Sequence, residues 1–591
     1  MNIIDYPFDS DEILRKKKTL KRQLIAQNNL PEKRIAILSG STIGDIKDIL
    51  ELFLLNFGIK PQFYTGNHNR FYEDIAFDNQ ELAAFRPELI YIHTSVRNLA
   101  DTRIWDKLSH AWAKARENYA CPIIQNNFEL PGYGVASDCR AVNEMNIKMV
   151  DYAKENRDFY INDIQHLSAR FGIDKWFNEQ EYFLYKYAFS VKAIPLFCHQ
   201  AAKIIKSVYG KNQKCLVLDL DNTLWGGVVG DVGVPGLELG MKSASGEAFS
   251  AFQSYIKTLH TQGVILAVCS KNEDSVAREA FKNPDMILHP DDFSAFYANW
   301  NNKAANILNI AEHLNILPES MVFVDDNPAE RELVRRALPE VNVPEGNTGI
   351  DFIRFIEGAG YFYTTHLSDD DSRRNAYYAS NARRTDSQRN FIDYGDYLLS
   401  LQMHSRIAPF VSEHLDRITQ LINKTNQFNL TTRRYSFSEI ERIAADARFT
   451  TLYATLDDKF GSNGIVSALI GETVGRDMHI RLWVMSCRVF KRDLELAVCD
   501  RLVEICRNTG LDKLLGYYFR TDKNGIVSGL FHNLGFTGVT DTTWELDLSG
   551  EFHRRNKYIQ VTCEETCIAT EAVTDPRQPA RGHKGETPWT Q

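Results

Sequence analysis

The stretch CLVLDLDNTLWGG, Cys215 to Gly227, carries an apolar run straight into Asp219-Leu220-Asp221 and then into Asn222-Thr223. Side chains alternate along a strand, so Asp219 and Asp221, two apart, can point the same way. Two carboxylates held together repel, and a divalent cation offsets the repulsion. Mg²⁺ suits such a site because it favours one or two carboxylates with phosphate oxygens and water. One carboxylate can attack phosphorus while its neighbour shuttles a proton. Asp and Asn are also common where strands turn, so the pair alone does not decide. Three later strings add to it. VILAVCSKN ends an apolar run in Ser270, a hydroxyl fit to bind a phosphoryl oxygen. NWNNKAANIL puts Lys303 at a helix start, where ammonium and helix dipole both favour an anion. MVFVDDNPAE ends another run in Asp325-Asp326, adding metal-binding charge.

These residues need strands to hold them at one sheet edge, where open α/β folds bind ligands. The chain has 591 residues, room for three or four domains. Strands alternate with helices in two stretches, which implies parallel sheets covered on both faces. In the first, residues 31–189, the strands are RIAILSG, KPQFYTG, ELIYIHTS and CPIIQNNF. In the second, 213–365, they are CLVLDLD, VILAVCS, MILHP and MVFVDD. Residues 1–30 read as a polar leader with a short helix, 190–212 as a helical bridge, and 366–400 as exposed helix and linker. A third unit, 401–549, has strands TTLYATL, GIVSALIGETV, MHIRLWVMSC, LLGYYF and TWELDL around the helix DLELAVCDRLVEICRNTG. Residues 550–591 turn polar and read as a disordered tail. The fold class is α/β, multidomain. A net charge of -9 without a basic stripe argues against nucleic acid as partner. No apolar run approaches a membrane span and no secretory signal opens the chain, so the reading is cytoplasmic, without membrane contact. Ten cysteines without zinc spacing read as free thiols.

The four motifs resemble those of the haloacid dehalogenase phosphatase superfamily. The resemblance implies a Rossmann-like phosphatase core in which Asp219 is the nucleophile, forming an aspartyl-phosphate, and Asp221 the general acid/base. It implies that Ser270 and Lys303 hold the phosphoryl group. Mg²⁺ would be held by Asp219, the backbone carbonyl of Asp221, and the Asp325-Asp326 pair, Asp326 foremost. LWGGVVGDVGVPGLELG is then a flap after the nucleophile, its glycines suiting a tight hairpin.

KCLVLDLDNTLWGGVVGD, AVCSKNE, NWNNKAANI, FVDDNPAER and LINKTNQFNLTTRRY together resemble the FkbH-like family, over nearly the whole chain to about 549. That resemblance implies removal of phosphate from 1,3-bisphosphoglycerate. It also implies loading of the glyceryl unit onto the phosphopantetheine thiol of an acyl carrier protein, for polyketide or related biosynthesis. Some relatives sit in surface-polysaccharide pathways.

The third unit resembles a GNAT-type acyltransferase fold, which binds a pantetheine pyrophosphate with R/Q-x-x-G-x-G/A at a strand-to-helix junction. The matching string here is Arg488-Val489-Phe490-Lys491-Arg492-Asp493, with Lys491 and Asp493 at the glycine positions. The expectation is a carrier-linked pantetheine rather than tightly bound coenzyme A. Acyl transfer to a thiol often uses a cysteine relay. Cys487 lies beside Arg488 at a helix N-terminus, and both would favour a thiolate; burial in a core is the other fate of such a cysteine. Cys269 and Cys215 should face the core. Asn426 and Gln427 can line the acceptor site or cap turns. The first unit resembles an SGNH-type hydrolase: ILSGST aligns Ser41 with the nucleophile, and Asp163-Ile164-Gln165-His166 matches the D-x-x-H pair. The G-D-S reads Ser39-Gly40-Ser41, and no clear G-x-N-D follows, so a vestigial site or docking domain is expected. Two other functions stay open: a plain phosphatase on a sugar phosphate or other metabolite, and a non-catalytic scaffold.

Overall fold

The computed structural model describes residues 3–26, 30–77, 79–101, 103–132, 136–365 and 369–563. Three sheets organise them. The first is parallel, with order β2-β1-β3-β4-β5: β1 (Glu32–Ser39), β2 (Lys60–Thr65), β3 (Leu89–His93), β4 (Ile123–Asn126) and β5 (Phe159–Asn162). The central strands are near-continuous apolar runs because helices cover both faces. β5 is one strand more than the apolar pattern predicts. Its four residues, FYIN, are too short and mixed to show a period. The expected leader is not free of this core: helix Ser10–Ala26 buries Ile13, Leu20 and Leu24. The expected bridge is likewise core. Helix Ile194–Val208 is buried almost throughout and packs with Ile35, Ile37 and Tyr91.

The second sheet is parallel, with order β8-β7-β6-β9: β6 (Cys215–Leu218), β7 (Ile265–Ser270), β8 (Phe293–Ala298) and β9 (Met321–Val324). The predicted strand MILHP is not one; its place is taken by FSAFYA, residues 293–298. The Gln253 side chain takes the N–H groups of Ile287 (3.0 Å) and Leu288 (3.2 Å), which a ladder would otherwise use.

The third sheet has eight strands, order β15-β16-β14-β13-β12-β11-β10-β17: β10 (Met403–Ala408), β11 (Phe449–Asp458), β12 (Gly461–Val474), β13 (Asp477–Met485), β14 (Lys513–Tyr517), β15 (Thr537–Gly538), β16 (Thr543–Asp547) and β17 (Ile559–Cys563). β10–β13 form an antiparallel meander, and β13 and β14 run parallel. Two expectations change. The tail read as disordered from 550 instead supplies β17, parallel to β10, which completes its edge; residues 564–591 lie outside the described residues. The stretch 366–400, read as linker, contains helix Asp369–Gln388, which buries Tyr377, Tyr378, Ser380 and Arg384. Arg384 meets the buried Asp458 through two bonds of 2.7 and 2.8 Å, fixing this helix to β11. The third unit docks on the first through helix Phe437–Ala445, whose N–H groups at Phe437 and Ser438 meet the Asp158 carboxylate at 3.3 and 2.9 Å. No helix among the described residues is long and apolar enough to cross a membrane.

Candidate active site

β6, β7 and β9 bring their carboxyl ends to one edge. Leu218 pairs with Val324, so the next residues, Asp219 and Asp325, leave adjacent strands side by side. Leu218 also pairs with Val268, which puts Ser270, buried at the end of β7, on the same edge. Carboxylate oxygens of Asp219, Asp325 and Asp326 lie within 4.8 Å of one another. Two unit charges this close repel by about 3–4 kcal/mol at an effective dielectric near 20, so the cluster needs cations. Lys303, first residue of helix Lys303–Leu314, supplies one. Its Nζ sits 3.0 Å from Asp219 and also meets the Asp325 carboxylate. Burial opposes the Lys303 charge, but Asp219 and Asp325 outweigh it and hold the ammonium above its ordinary range. Burial and the Asp219 charge, against Lys303, push Asp325 up to about 6, and burial and Asp219 raise Asp326.

Three carboxylates against one ammonium leave two formal negative charges, the complement of a divalent cation. Asp219 Oδ1 is buried without a hydrogen-bond partner, an orphaned acceptor that a cation would satisfy. The donor set is all oxygen, which suits a hard cation. Thr223, fully buried, fixes Asp326: its Oγ1 takes the Asp326 N–H at 3.1 Å and lies 3.3 Å from Oδ1. Arg331 donates to the carbonyls of Asp325 and Asp326, both at 2.7 Å, and locks the loop.

The Asp221 carboxylate stands apart from that cluster. Oδ1 accepts from Trp225 Nε1 (2.9 Å) and the Val229 N–H (3.0 Å), and Oδ2 from Asn272 Nδ2 (2.8 Å). Burial raises its pKa above the ordinary carboxylate value, against the pull of those donors. A carboxyl fixed beside the cluster with a raised pKa can give and take a proton. The flap begins with a two-bond bridge between Gly226 and Glu238, 3.2 and 3.0 Å. A Cβ at Gly226 would meet Glu238 and Phe249 within 3 Å. Beyond the bridge the flap makes short helical turns at Val229–Val232 and Val234–Gly236, not the hairpin expected. Asn272, Trp225, Thr223 and Arg331 have positioning roles that the motif strings did not reveal. All four sit inside the quoted strings, but which partner each meets depends on the fold.

The other candidates lie elsewhere. Cys487 opens a 3-10 turn, Cys487–Val489, not the helix start expected; the helix begins at Leu494. Its neighbours include Arg488, Asn426 and Gln427, around a cavity of about 90 Å³ shared with Lys214, Ser320 and Tyr378. Lys214 and Ser320 immediately precede β6 and β9, so this cavity lies at the amino edge of the second sheet. Five strand residues at roughly 3.3 Å each put Asp219 about 16 Å from Lys214. The chain therefore gathers its acyl-acceptor candidates on the edge opposite the carboxylates. Lys491 (φ 61°) and Asp493 (φ 59°), the two glycine positions of the resembled loop, both adopt left-handed backbone, at a cost of roughly 1–2 kcal/mol each. The loop keeps the glycine path without the glycines. Arg488 stacks on Tyr377, 4.3 Å from the ring centroid. Cys269 and Cys215 face the core, and burial raises both thiols far from ionisation.

In the first sheet, Ser41 Oγ is buried without a partner. Asp163 caps helix Ile164–Phe171: Oδ1 takes the His166 N–H at 3.0 Å and Asn127 Nδ2 at 2.8 Å. His166 is exposed. The D-x-x-H string is thus accounted for as a helix start.

Neither a protein-family model nor a curated protein matches the chain. Among solved structures, the N-terminal part of protein BF1531 from Bacteroides fragilis, which contains a phosphatase domain and was crystallised with Mg, is similar. Its identity is 28% and its TM-score 0.55, covering 60% of this chain and 99% of that one. The ribosomal-protein-S18-alanine N-acetyltransferase from Escherichia coli matches with 12% identity and a TM-score of 0.21, over 26% of this chain and 99% of its own. An N-acetyltransferase from Thermoplasma acidophilum, solved with coenzyme A, matches with 13% identity and a TM-score of 0.19, over 24% and 99%.

Proposed function

We propose that the chain is a Mg²⁺-dependent phosphohydrolase with an aspartate nucleophile, joined to an acyl-transfer unit. The observation that carries this is the charge of the cluster: Asp219, Asp325 and Asp326 face a single Lys303 and leave two negative charges at the sheet edge. The similar Bacteroides fragilis structure, with its phosphatase domain and Mg, supports the same reading. Bound Mg²⁺ would be held by Asp219, Asp326 and Asp325 and would supply charge neutralisation at the phosphoryl oxygens. The Asp219 carboxylate attacks phosphorus, and the bond to the leaving oxygen breaks as Asp221 protonates it. Asp221 then takes a proton from the water that hydrolyses the aspartyl-phosphate. Lys303 and Ser270 hold the phosphoryl oxygens.

The finer reading rests on the FkbH-like resemblance. The substrate is 1,3-bisphosphoglycerate: the Asp219 site hydrolyses its phosphomonoester, the Cys487 thiolate takes the acyl carbon as the acyl-phosphate bond breaks and phosphate leaves, and the phosphopantetheine thiol of an acyl carrier protein then takes the glyceryl unit and frees Cys487. A second reading, a plain phosphatase, is favoured by one observation: the Cys487 cavity lies across the sheet from Asp219, so no acyl group passes directly between them. The test is incubation of enzyme, Mg²⁺ and 1,3-bisphosphoglycerate with a holo carrier protein. Phosphate release is measured alongside the intact mass of the carrier. Release with a glyceryl mass gain supports the transferase; release without gain leaves the plain phosphatase; no release from any phosphomonoester overturns both.

A further inference from the structure

Between the three sheets lies a cavity of about 950 Å³. It does not belong to the carboxylate edge. Its walls come from the start of β1 (Lys33, Arg34), the residue before β6 (Lys214), and the third unit between Asp416 and Glu439. Nine lysines and arginines line it against four carboxylates, in a chain of net charge -9. The four carboxylates are already engaged. Glu88 takes Lys33 at 2.8 Å, and Asp416 takes Arg157 at 3.2 Å. Asp158 holds the helix N-terminus described above, and Glu439 takes the Ser436 N–H at 2.7 Å. Arg434, by contrast, gives its guanidinium among the described residues to neutral oxygens: the carbonyls of Ile422 and Thr425 and the Asn426 side chain. Among the described residues Lys214 forms no ion pair.

The wall also carries unmet polar groups. The Tyr209 hydroxyl, Asn212 Oδ1 and Thr419 Oγ1 are buried and have no partner. Buried polar atoms are normally satisfied, so a polar occupant is called for. Burial lowers the Lys214 ammonium, Arg374 and Arg434 adding to the effect, and burial pushes Arg434 down to about 10. A bound oxyanion would relieve both. Arg and Lys together suit a phosphate ester.

The cavity is not closed at that end. The smaller Cys487 cavity shares Lys214, Arg374 and Lys424 with it. It is far smaller, about 90 Å³. A cationic chamber joined to a narrow passage that ends beside the Cys487 thiol suits an anion on a thin arm that brings a reactive group to that cysteine. We propose that the central cavity binds the phosphate of a phosphopantetheine thiol and leads its arm past Lys214 to Cys487. This rests on the acyl-acceptor reading above, and the thiol comes either from free coenzyme A or from a holo carrier protein.

The test uses the full chain carrying Asp219→Asn, so that the phosphoryl site is silent. By calorimetry, phosphopantetheine should bind at least about tenfold tighter than dephosphorylated pantetheine, as expected for a charge-assisted phosphate contact. Lys214→Met, checked for an unchanged thermal transition, should abolish that preference. Equal binding of the two compounds, or a preference untouched by Lys214→Met, overturns the proposal. A measurement needing no variant is alkylation of Cys487: saturating phosphopantetheine should slow it in the unsubstituted chain, and an unchanged rate overturns the proposal as well. Coenzyme A and a holo carrier are titrated in parallel, and the tighter one is the source; binding of neither is a failure. Hydrolysis of a phosphomonoester by the unsubstituted chain is assayed separately. Binding without hydrolysis defeats the phosphohydrolase reading alone, and hydrolysis without binding defeats this inference alone.

Discussion

The carboxyl edges of the two parallel sheets both bury polar groups and use them in opposite ways. At the first edge Tyr91, His93, Asn126 and Asn162 are neutral and bond to one another, beside a buried Glu129 whose carboxyl burial pushes up to about 7. Tyr91 donates to Asn126 (2.7 Å), Asn162 donates to both Tyr91 (2.9 Å) and Asn126 (3.0 Å), and Asn126 meets His93 at 2.7 Å. Burial holds the His93 imidazole down to about 3, so it stays neutral. At the second edge the groups are charged and most of them repel. A neutral network of this kind fixes a fold without calling for a cation, even though His93 Nε2, Asn162 Oδ1 and Ser41 Oγ have no partner among the described residues. A cluster with uncompensated charge requires a ligand. The difference separates a structural edge from a chemical one inside one chain, and it can be broken in graded ways.

The largest effect should come from Asp219→Asn. It removes the proposed nucleophile and one of the repelling charges together. Phosphate release should fall by at least about 10³-fold, the scale of losing a nucleophile, while thermal stability holds or rises. EDTA should match the loss in the unsubstituted chain. Undiminished release by the folded variant would place the chemistry elsewhere.

Lys303→Met should come next, and in stability rather than rate. It strands Asp219 and Asp325 without their buried partner, a change that costs about 3–5 kcal/mol. Added Mg²⁺ should restore more of this loss than it adds to the unsubstituted chain, since cation and ammonium share the same carboxylates. Denaturant titrations with and without Mg²⁺ measure it. An equal Mg²⁺ effect on both proteins would mean that the cation binds away from Lys303.

Much of this contrast was legible before the fold was known. Asp219, Ser270 and Asp325 end apolar runs, and strand period alone puts run ends at a sheet edge. The runs themselves marked β1–β4, β6, β7 and β9. Elements defined by distant pairing were not legible. β17 exists because residues 559–563 lie against 403–407, and β8 because FSAFYA, not MILHP, reaches β7. The same limit applied to Cys487. Its neighbour Arg488 is written in the chain, but which edge of the second sheet it faces depends on how the third unit docks. Lys491 and Asp493 taught the reverse lesson. They look like lost glycines, yet both keep the left-handed backbone that the loop needs.

The neutral edge predicts a pH dependence of its own. His93 is held at about 3 when folded, against 6.5 when free. Above pH 6.5 both states are neutral and nothing changes. Below it the unfolded chain gains a proton that the folded one refuses. Stability should then fall by up to about 1.4 kcal/mol per pH unit until the folded value is reached. His93→Gln should flatten that component, read as the difference between the two stability curves from pH 7 to pH 4. Parallel curves would mean that His93 is protonated in the fold.

The smallest effects belong to the hydrolase-like residues of the first edge. Asp163 is committed as a helix cap, so Asp163→Ala should cost about 1 kcal/mol of stability and leave phosphate release unchanged. His166 is exposed, and only its backbone N–H is bound by Asp163. His166→Ala should alter neither quantity. Ser41 is the harder case, because its Oγ is buried and has no partner, and an unsatisfied hydroxyl is what a waiting nucleophile would look like. No base reaches it among the described hydrogen bonds, however, and Asp163 turns its carboxylate to a helix end instead of to an imidazole. Ser41→Ala removes an unmet buried polar group, so it should be neutral or slightly stabilising, with phosphate release and carrier loading unchanged. A hundredfold loss in either rate at unchanged thermal stability would show that the first edge carries chemistry too. The contrast between a structural edge and a chemical one would then give way to two active sites in one chain.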